Sequence, residues 1–193
     1  MSTRADLENL LASFAQEGPA GCGLSICKDG QEIFRHCCGY ADLERKEPLG
    51  ADHVIRLFSN TKVFTNVLAL TLFERGKLLL TDPVSDYLPE FSQSRVGFFT
   101  NNGTYATRPA ARPIRVQDLM TMSSGLTYGT QMAGGENSQT NLMLQRAVDG
   151  LEARGGYTVQ KFARAVAEVP LLFDPGTQWH YGYSHDVLGA VIE

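Results

Sequence analysis

With 193 residues, 43% hydrophobic and 20% charged, the chain has the make-up of a globular protein: one substantial domain, or one and a piece of another. That composition excludes intrinsic disorder and coiled coil, and a net charge of -4 offers no electrostatic attraction to nucleic acid or an anionic membrane. Met1 to Glu8 carries acids where a secretion signal has an apolar stretch, and no apolar run approaches the roughly 20 residues that span a bilayer, so a cytoplasmic protein is expected.

Leu7, Leu10, Leu11 and Phe14 fall at i, i+3, i+4 and i+7, the stripe of an amphipathic helix that Gly18-Pro19 ends. Two strand-like runs, Gly23 to Lys28 and Gln31 to Cys38, are joined by Asp29-Gly30 and predict a hairpin. Gly39 to Asp52 reads as a loop with a short edge segment. Four cysteines fall here, Cys22, Cys27, Cys37 and Cys38, with no C-x-x-C pair. Cys22, Cys27 and one of the adjacent pair can sit on neighbouring strands, which leaves a disulfide or thiolate site open; buried reduced thiols are the expectation.

Ser59 to Arg75 reads as a helix closed by Gly76, and its apolar residues wrap nearly the whole circumference, so it is expected to be packed on most sides. Thr81-Asp82-Pro83 starts a short helix that Leu88 to Phe91 closes. Ser92 to Arg115 has no helical period and reads as a surface excursion, with a small hairpin across Asn101-Asn102-Gly103. A short helix over 116–122 stops at Ser123-Ser124-Gly125. A Gly-rich loop from Gly129 to Glu136 follows, then helices from about Asn137 to Arg154 and from Thr158, a plausible N-cap, to Val169. After the turn Phe173 to Trp179, Ser184 caps a last helix running to Glu193. No repeat, low-complexity tract or dividing linker is present.

Serine and lysine three apart arises roughly once by chance in a chain of this size. Two instances occur, Ser25/Lys28 and Ser59/Lys62. In a strand, residues three apart point to opposite faces, so the first pair cannot cooperate; at a helix start they share a face, so the second can. Ser59 is either an N-cap or a nucleophile. As a cap it leaves Lys62 unexplained, because a lysine early in a helix opposes the macrodipole and is costly to bury. As a nucleophile it gives that lysine work: desolvation lowers the amine's pKa from about 10.4 and makes it a proton acceptor for the hydroxyl. The helix start then favours the developing oxyanion, with the Ser59 backbone N–H as one donor. Rival schemes lack their motifs. There is no G-x-S-x-G elbow, no Walker A loop, no G-x-G-x-x-G and no H-E-x-x-H. His36, His53, His180 and His185 therefore read as surface or supporting residues, and Asp82 and Asp86 as solvated helix-start acids.

Four stretches together resemble the serine β-lactamase-like family, which includes class C β-lactamases, penicillin-binding proteins and related carboxylesterases. They are Phe58-Ser-Asn-Thr-Lys62, the run from Gly76 to Phe91, Asp118-Leu-Met-Thr-Met-Ser-Ser-Gly-Leu126, and Pro175 to Tyr181 continuing to Gly189. They stand in the family's order from about residue 20 to the end. The resemblance implies an α+β fold of the β-lactamase/transpeptidase type, an antiparallel sheet flanked by helices with a mostly helical insertion. It implies that Tyr181 shares the base role with Lys62 and protonates the leaving group, and it puts Tyr183 and Ser124 at the substrate. No cofactor or metal is expected.

Two departures bear on function. The second motif, usually Tyr-x-Asn in the lactamases, is Tyr181-Gly-Tyr183 here, which argues for small esters over β-lactams. The third motif, Lys or His, a small residue and Gly, is missing before Glu193. Residues 1–80 are thus expected to form the N-terminal part of the α/β domain and 81–193 a mostly helical region, with the C-terminal part of that domain absent, the sheet incomplete and a large apolar surface exposed. The expected activity is that of a carboxylesterase or acyl transferase working through an acyl-enzyme at Ser59, with a small ester or amide as partner and a complementing segment or second chain. A β-lactamase or D-peptidase, a catalytically silent scaffold, and an inactive fragment are the alternatives.

Overall fold

In the computed structural model, which describes residues 3–129, 139–153 and 155–193, the chain divides into two units, one up to Leu57 and one from Phe58 onward. The first is built on a hairpin. Strands β1 (Gly21–Lys28) and β2 (Gln31–Asp42) run antiparallel. They are joined by Asp29 and Gly30 at φ 52° and 77°, the positive pair that a type I′ turn needs to match strand twist. Two residues, Glu47–Pro48, form β3 on the outer edge of β2, where a proline's missing N–H does no harm. Helix α1 (Thr3–Glu17) lies against β1 and β2. Of its apolar stripe Leu11 is buried, as is Phe34 of β2, while Leu10 and Phe14 remain half exposed.

The second unit opens on a 3-10 turn, Phe58–Asn60, that runs into helix α2 (Thr61–Glu74). Gly76 at φ 63° ends α2 by a Schellman pattern: its N–H bonds to Phe73 O and that of Lys77 to Leu72 O, each at 2.9 Å. The expected all-round packing of α2 is not observed. Ala69 is its one buried residue, whereas Val63, Phe64, Val67 and Leu68 are each more than half exposed. Helix α6 (Ser184–Ile192) packs against α2 along a single face, and most of the remaining apolar circumference stays open.

In place of an α-helix after Thr81 there are two 3-10 turns, Val84–Asp86 and Pro89–Gln93; Pro83 stands at the N-cap of the first, and Pro89, with no N–H to continue a ladder, opens the second. Asp82 is no solvated cap: its carboxylate accepts from Tyr87 Oη at 2.6 Å and from Leu79 N–H at 2.7 Å. The excursion holds the expected hairpin, β4 (Arg95–Phe99) with β5 (Tyr105–Pro109). Next come α3 (Val116–Met120), α4 (Gln139–Glu152) and α5 (Val159–Ala167). Thr158 caps α5 by accepting from Lys161 N–H at 3.2 Å. The ends expected for α4 at Asn137 and Arg154 lie outside the described residues, as does the loop over 130–136. Ser184 is the first residue of α6 rather than its cap, and its hydroxyl is engaged elsewhere.

The core of this unit is apolar and centred on α6, which meets α2, α3 and α5; Val187 and Leu188 are fully buried there, with Leu119, Leu144 and Val166 beside them. Asp118 is a charged member of that interior. It is fully enclosed, takes both Nη atoms of Arg112 at 2.6 and 2.9 Å, and accepts from Arg115 N–H at 2.8 Å, which fixes the start of α3. The whole is an α+β arrangement of helices with small antiparallel sheets, of three and two strands. Among the described residues no helix is long and apolar enough to cross a membrane.

Candidate active site

Ser59 sits in the 3-10 turn ahead of α2, directly after Phe58, a non-glycine residue at φ 46°. Backbone held in that region costs of order 1 kcal/mol or more and persists where surrounding structure enforces it. Asn60 occupies the N-cap position of α2 without a side-chain cap bond, and Ser59 does not cap either. Its hydroxyl faces two other groups. Tyr181 Oη donates to Ser59 Oγ at 2.5 Å, and Lys62 Nζ approaches the same oxygen at 3.5 Å. The ammonium lies 4.9 Å from the Tyr181 ring centroid and 6.0 Å from that of Tyr128. A hydroxyl, an amine and a phenol from 122 positions downstream thus converge at the start of one helix.

The segment carrying Tyr181 is fixed on both sides. His180 N–H donates to Met122 O at 2.9 Å, and its Nε2 lies 3.0 Å from Thr127 Oγ1, which in turn donates to Asn141 Oδ1 at 2.9 Å. Gly182 lies against the Leu126–Thr127 backbone so closely that a Cβ there would stand 2.8 Å from Thr127 Cα. Rings then follow one another from this segment inward: Trp179 and Tyr128 tilted against Tyr181, Tyr128 edge-on to Tyr183 at 4.5 Å, Tyr183 edge-on to Phe162 at 4.8 Å, and Phe162 stacked on Tyr157.

The electrostatics of the three polar groups are coupled. Burial pulls the pKa of Lys62 down, but hydrogen bonding to the phenols of Tyr128 and Tyr181 outweighs it, and the net shift is upward. This corrects the expectation of a lysine lowered by desolvation: the amine is half-buried beside phenols that favour its charged form. Tyr181 moves the other way. Its hydrogen bond with Ser59 lowers its pKa first, burial opposes, and Lys62 lowers it further. Tyr183, two residues on, is pushed up to about 12 by burial, with Asp186 adding to the effect. The same side-chain type is therefore tuned in opposite directions at positions 181 and 183.

Tyr183 also lines a cleft of about 450 Å³ next to Lys62, with Phe58, Thr61, Tyr157, Phe162 and His185 among its walls. Ser124, by contrast, is not brought to this surface. It is fully buried, its Oγ lies 2.8 Å from Ser184 Oγ, and it accepts from Leu126 N–H at 3.2 Å, so it braces the turn beneath the site. His185 is buried rather than on the surface, and among the described residues neither ring nitrogen has a hydrogen-bond partner; burial, then the nearby Lys62 charge, lower its pKa. Tyr128 was not anticipated. It is buried between Lys62, Tyr181 and Tyr183, and the one hint in the sequence is its place two residues after the Ser-Ser-Gly-Leu126 turn. Among the described residues no group of three His, Cys, Asp or Glu side chains could hold a metal ion.

The family described as Beta-lactamase matches residues 7–193. Esterase EstB of Burkholderia gladioli is 32% identical over 168 residues, 87% of this chain and 39% of its own length. EstCE1, described as a hydrolase with promiscuous acyltransferase activity, superposes with a TM-score of 0.74 at 28% identity, over 98% of this chain and 46% of its own. Simvastatin synthase (LovD) from Aspergillus terreus superposes with a TM-score of 0.75 at 25% identity, over 100% of this chain and 48% of its own. The chain spans less than half the length of each of these three proteins.

Proposed function

This chain belongs to the beta-lactamase family, and on that premise we propose that it carries the nucleophile half of a cofactor-free serine hydrolase or acyl transferase acting on small esters, with Ser59 as nucleophile and Lys62 and Tyr181 as its proton-handling partners. The observation that carries this reading is the 2.5 Å contact between Tyr181 Oη and Ser59 Oγ, made beside the Lys62 ammonium. Tyr181 stands an ångström nearer the hydroxyl than Lys62 does, and its pKa is the one displaced toward neutrality. The phenol is accordingly the proton acceptor and Lys62 the cation that favours its phenolate.

In the first step Tyr181, once it has given up its own proton, takes that of Ser59 as Oγ attacks the ester carbonyl. The oxyanion forms at the amino end of α2, with the Ser59 N–H as one donor. Collapse returns the proton from Tyr181 to the leaving alcohol and leaves an acyl group on Ser59. Water or a second alcohol then reverses the sequence. Tyr183, held protonated by burial, cannot take a base role and serves as a wall and hydrogen-bond donor for the substrate. Its place where lactamases carry an amide favours esters, in keeping with relatives named as an esterase and as a hydrolase with acyltransferase activity. The exposed face of α2 is assigned to a complementing segment that brings the third motif, and free cysteine thiols suit a cytoplasmic setting.

The test is covalent labelling. The chain incubated with a fluorophosphonate gains the probe's mass on Ser59, Ser59→Ala gains none, and Tyr181→Phe labels at least tenfold more slowly. Labelling that survives in Ser59→Ala, or a wild-type chain that takes no label, sinks the proposal.

A further inference from the structure

Cys22 and Cys38 are opposite one another in the β1–β2 ladder. Tyr40 N–H donates to Ala20 O at 2.8 Å, which makes 20/40 a hydrogen-bonded pair and, two residues along, 22/38 another. In such pairs the Cα atoms lie about 5.5 Å apart, inside the range that a disulfide spans. The side chains share a face, and their sulfurs are already 3.4 Å apart, so rotations about the two Cα–Cβ bonds bring them to the bonded distance of about 2.05 Å. Both thiols are partly buried and free. Cys37 pairs with Gly23 and points to the other face; Cys27 faces Glu32 beyond a bulge and is exposed. Proximity, register and partial exposure single out one pair of the four thiols.

We propose that Cys22 and Cys38 form an oxidisable dithiol, a modification site that, with a hydroperoxide as oxidant, closes to an intra-hairpin disulfide and fastens the start of β1 to β2. The balance is that of an ordinary dithiol oxidation. One sulfur, as thiolate, attacks an oxygen of the hydroperoxide and breaks the O–O bond; it becomes a sulfenic acid, and the other oxygen leaves as alcohol or water after taking a proton. The second thiolate attacks the sulfenic sulfur, the S–S bond forms, and hydroxide departs as water. Two electrons pass from sulfur to oxygen for each disulfide made. Thiol reductants restore the pair.

The experiment treats the whole chain with one equivalent of hydrogen peroxide and reads intact mass, linked peptides and melting temperature. A loss of about 2 Da is expected, corresponding to two hydrogens. Fragmentation should join Cys22 to Cys38, and the melting temperature should rise by several degrees and fall back with dithiothreitol. The Cys27→Ser/Cys37→Ser double variant keeps all three results; Cys22→Ser or Cys38→Ser loses them. If either single variant fails to fold, the fragment map of the wild-type chain decides alone. Linkage through Cys27 or Cys37, or oxygen addition to single sulfurs without a linked peptide, overturns the proposal.

Discussion

Tyr181 and Lys62 are the residues on which pH dependence rests. The phenol's pKa is lowered by its bond with Ser59 and by the Lys62 charge, and that of the ammonium is raised by the phenols around it. As pH rises, Tyr181 therefore loses its proton before an ordinary tyrosine does, while Lys62 still holds its own. Replacing Lys62 by Met removes the cation and should move the tyrosinate transition of residue 181 upward. The measurement is tyrosinate absorbance against pH, with the Tyr181→Phe curve subtracted to isolate one phenol. An unmoved transition in Lys62→Met would show that the lysine does not act on this phenol. This pair was legible in the sequence because serine and lysine three apart share a face only at a helix start, and because a motif downstream pointed to residue 181. Tyr128 was not legible. It meets Lys62 across 66 positions, and an aromatic after a turn carries no spacing that announces such a contact. Ser124 misled in the opposite sense: its motif neighbours suggested a substrate contact, but its hydroxyl turns inward to Ser184, 60 positions away.

The elements that matter are the turn after α3 and the segment before α6, which hold the phenol over the helix start. Gly182 is their point of closest approach, with no room between it and the backbone of residues 126 and 127 for a methyl group. Gly182→Ala must therefore push the 180–183 segment away from the turn, at a cost of about 1–3 kcal/mol for overpacking, and carry Tyr181 Oη beyond 2.5 Å from Ser59. The expected outcome is a melting temperature lowered by a few degrees and Ser59 labelling slowed at least tenfold, more than the stability loss alone would produce. Labelling at the wild-type rate would show that this contact does not set the phenol's position. Element identity was readable where turn chemistry was explicit, as at Asp29-Gly30, Gly76 and Thr158. It failed after Thr81, where Pro89 lets the segment run no further than two short 3-10 turns, and at Ser184, where a serine at a helix start bonds sideways to another serine instead of capping.

Across the whole molecule, the feature with physical consequence is the apolar face of α2. Val63, Phe64, Val67 and Leu68 are 54–62% exposed. Fully burying an aliphatic or aromatic side chain is worth about 1.5–3 kcal/mol, so half-exposed residues of this size leave several kcal/mol of burial unrealised. The circumferential pattern that predicted a helix packed on most sides is not matched by its burial, and within the unit from Phe58 onward α6 covers one side of α2. Such a face drives either self-association or capture of a covering segment. The chain alone is therefore expected to bind a hydrophobic dye such as ANS and to associate as its concentration rises, read by sedimentation. Phe64→Glu with Leu68→Glu should lower dye binding several-fold and return the chain to monomer, since both substitutions lie on exposed positions. A wild-type chain that stays monomeric and dye-silent would mean that α2 tolerates this exposure, and the case for a complementing segment would lose its energetic basis.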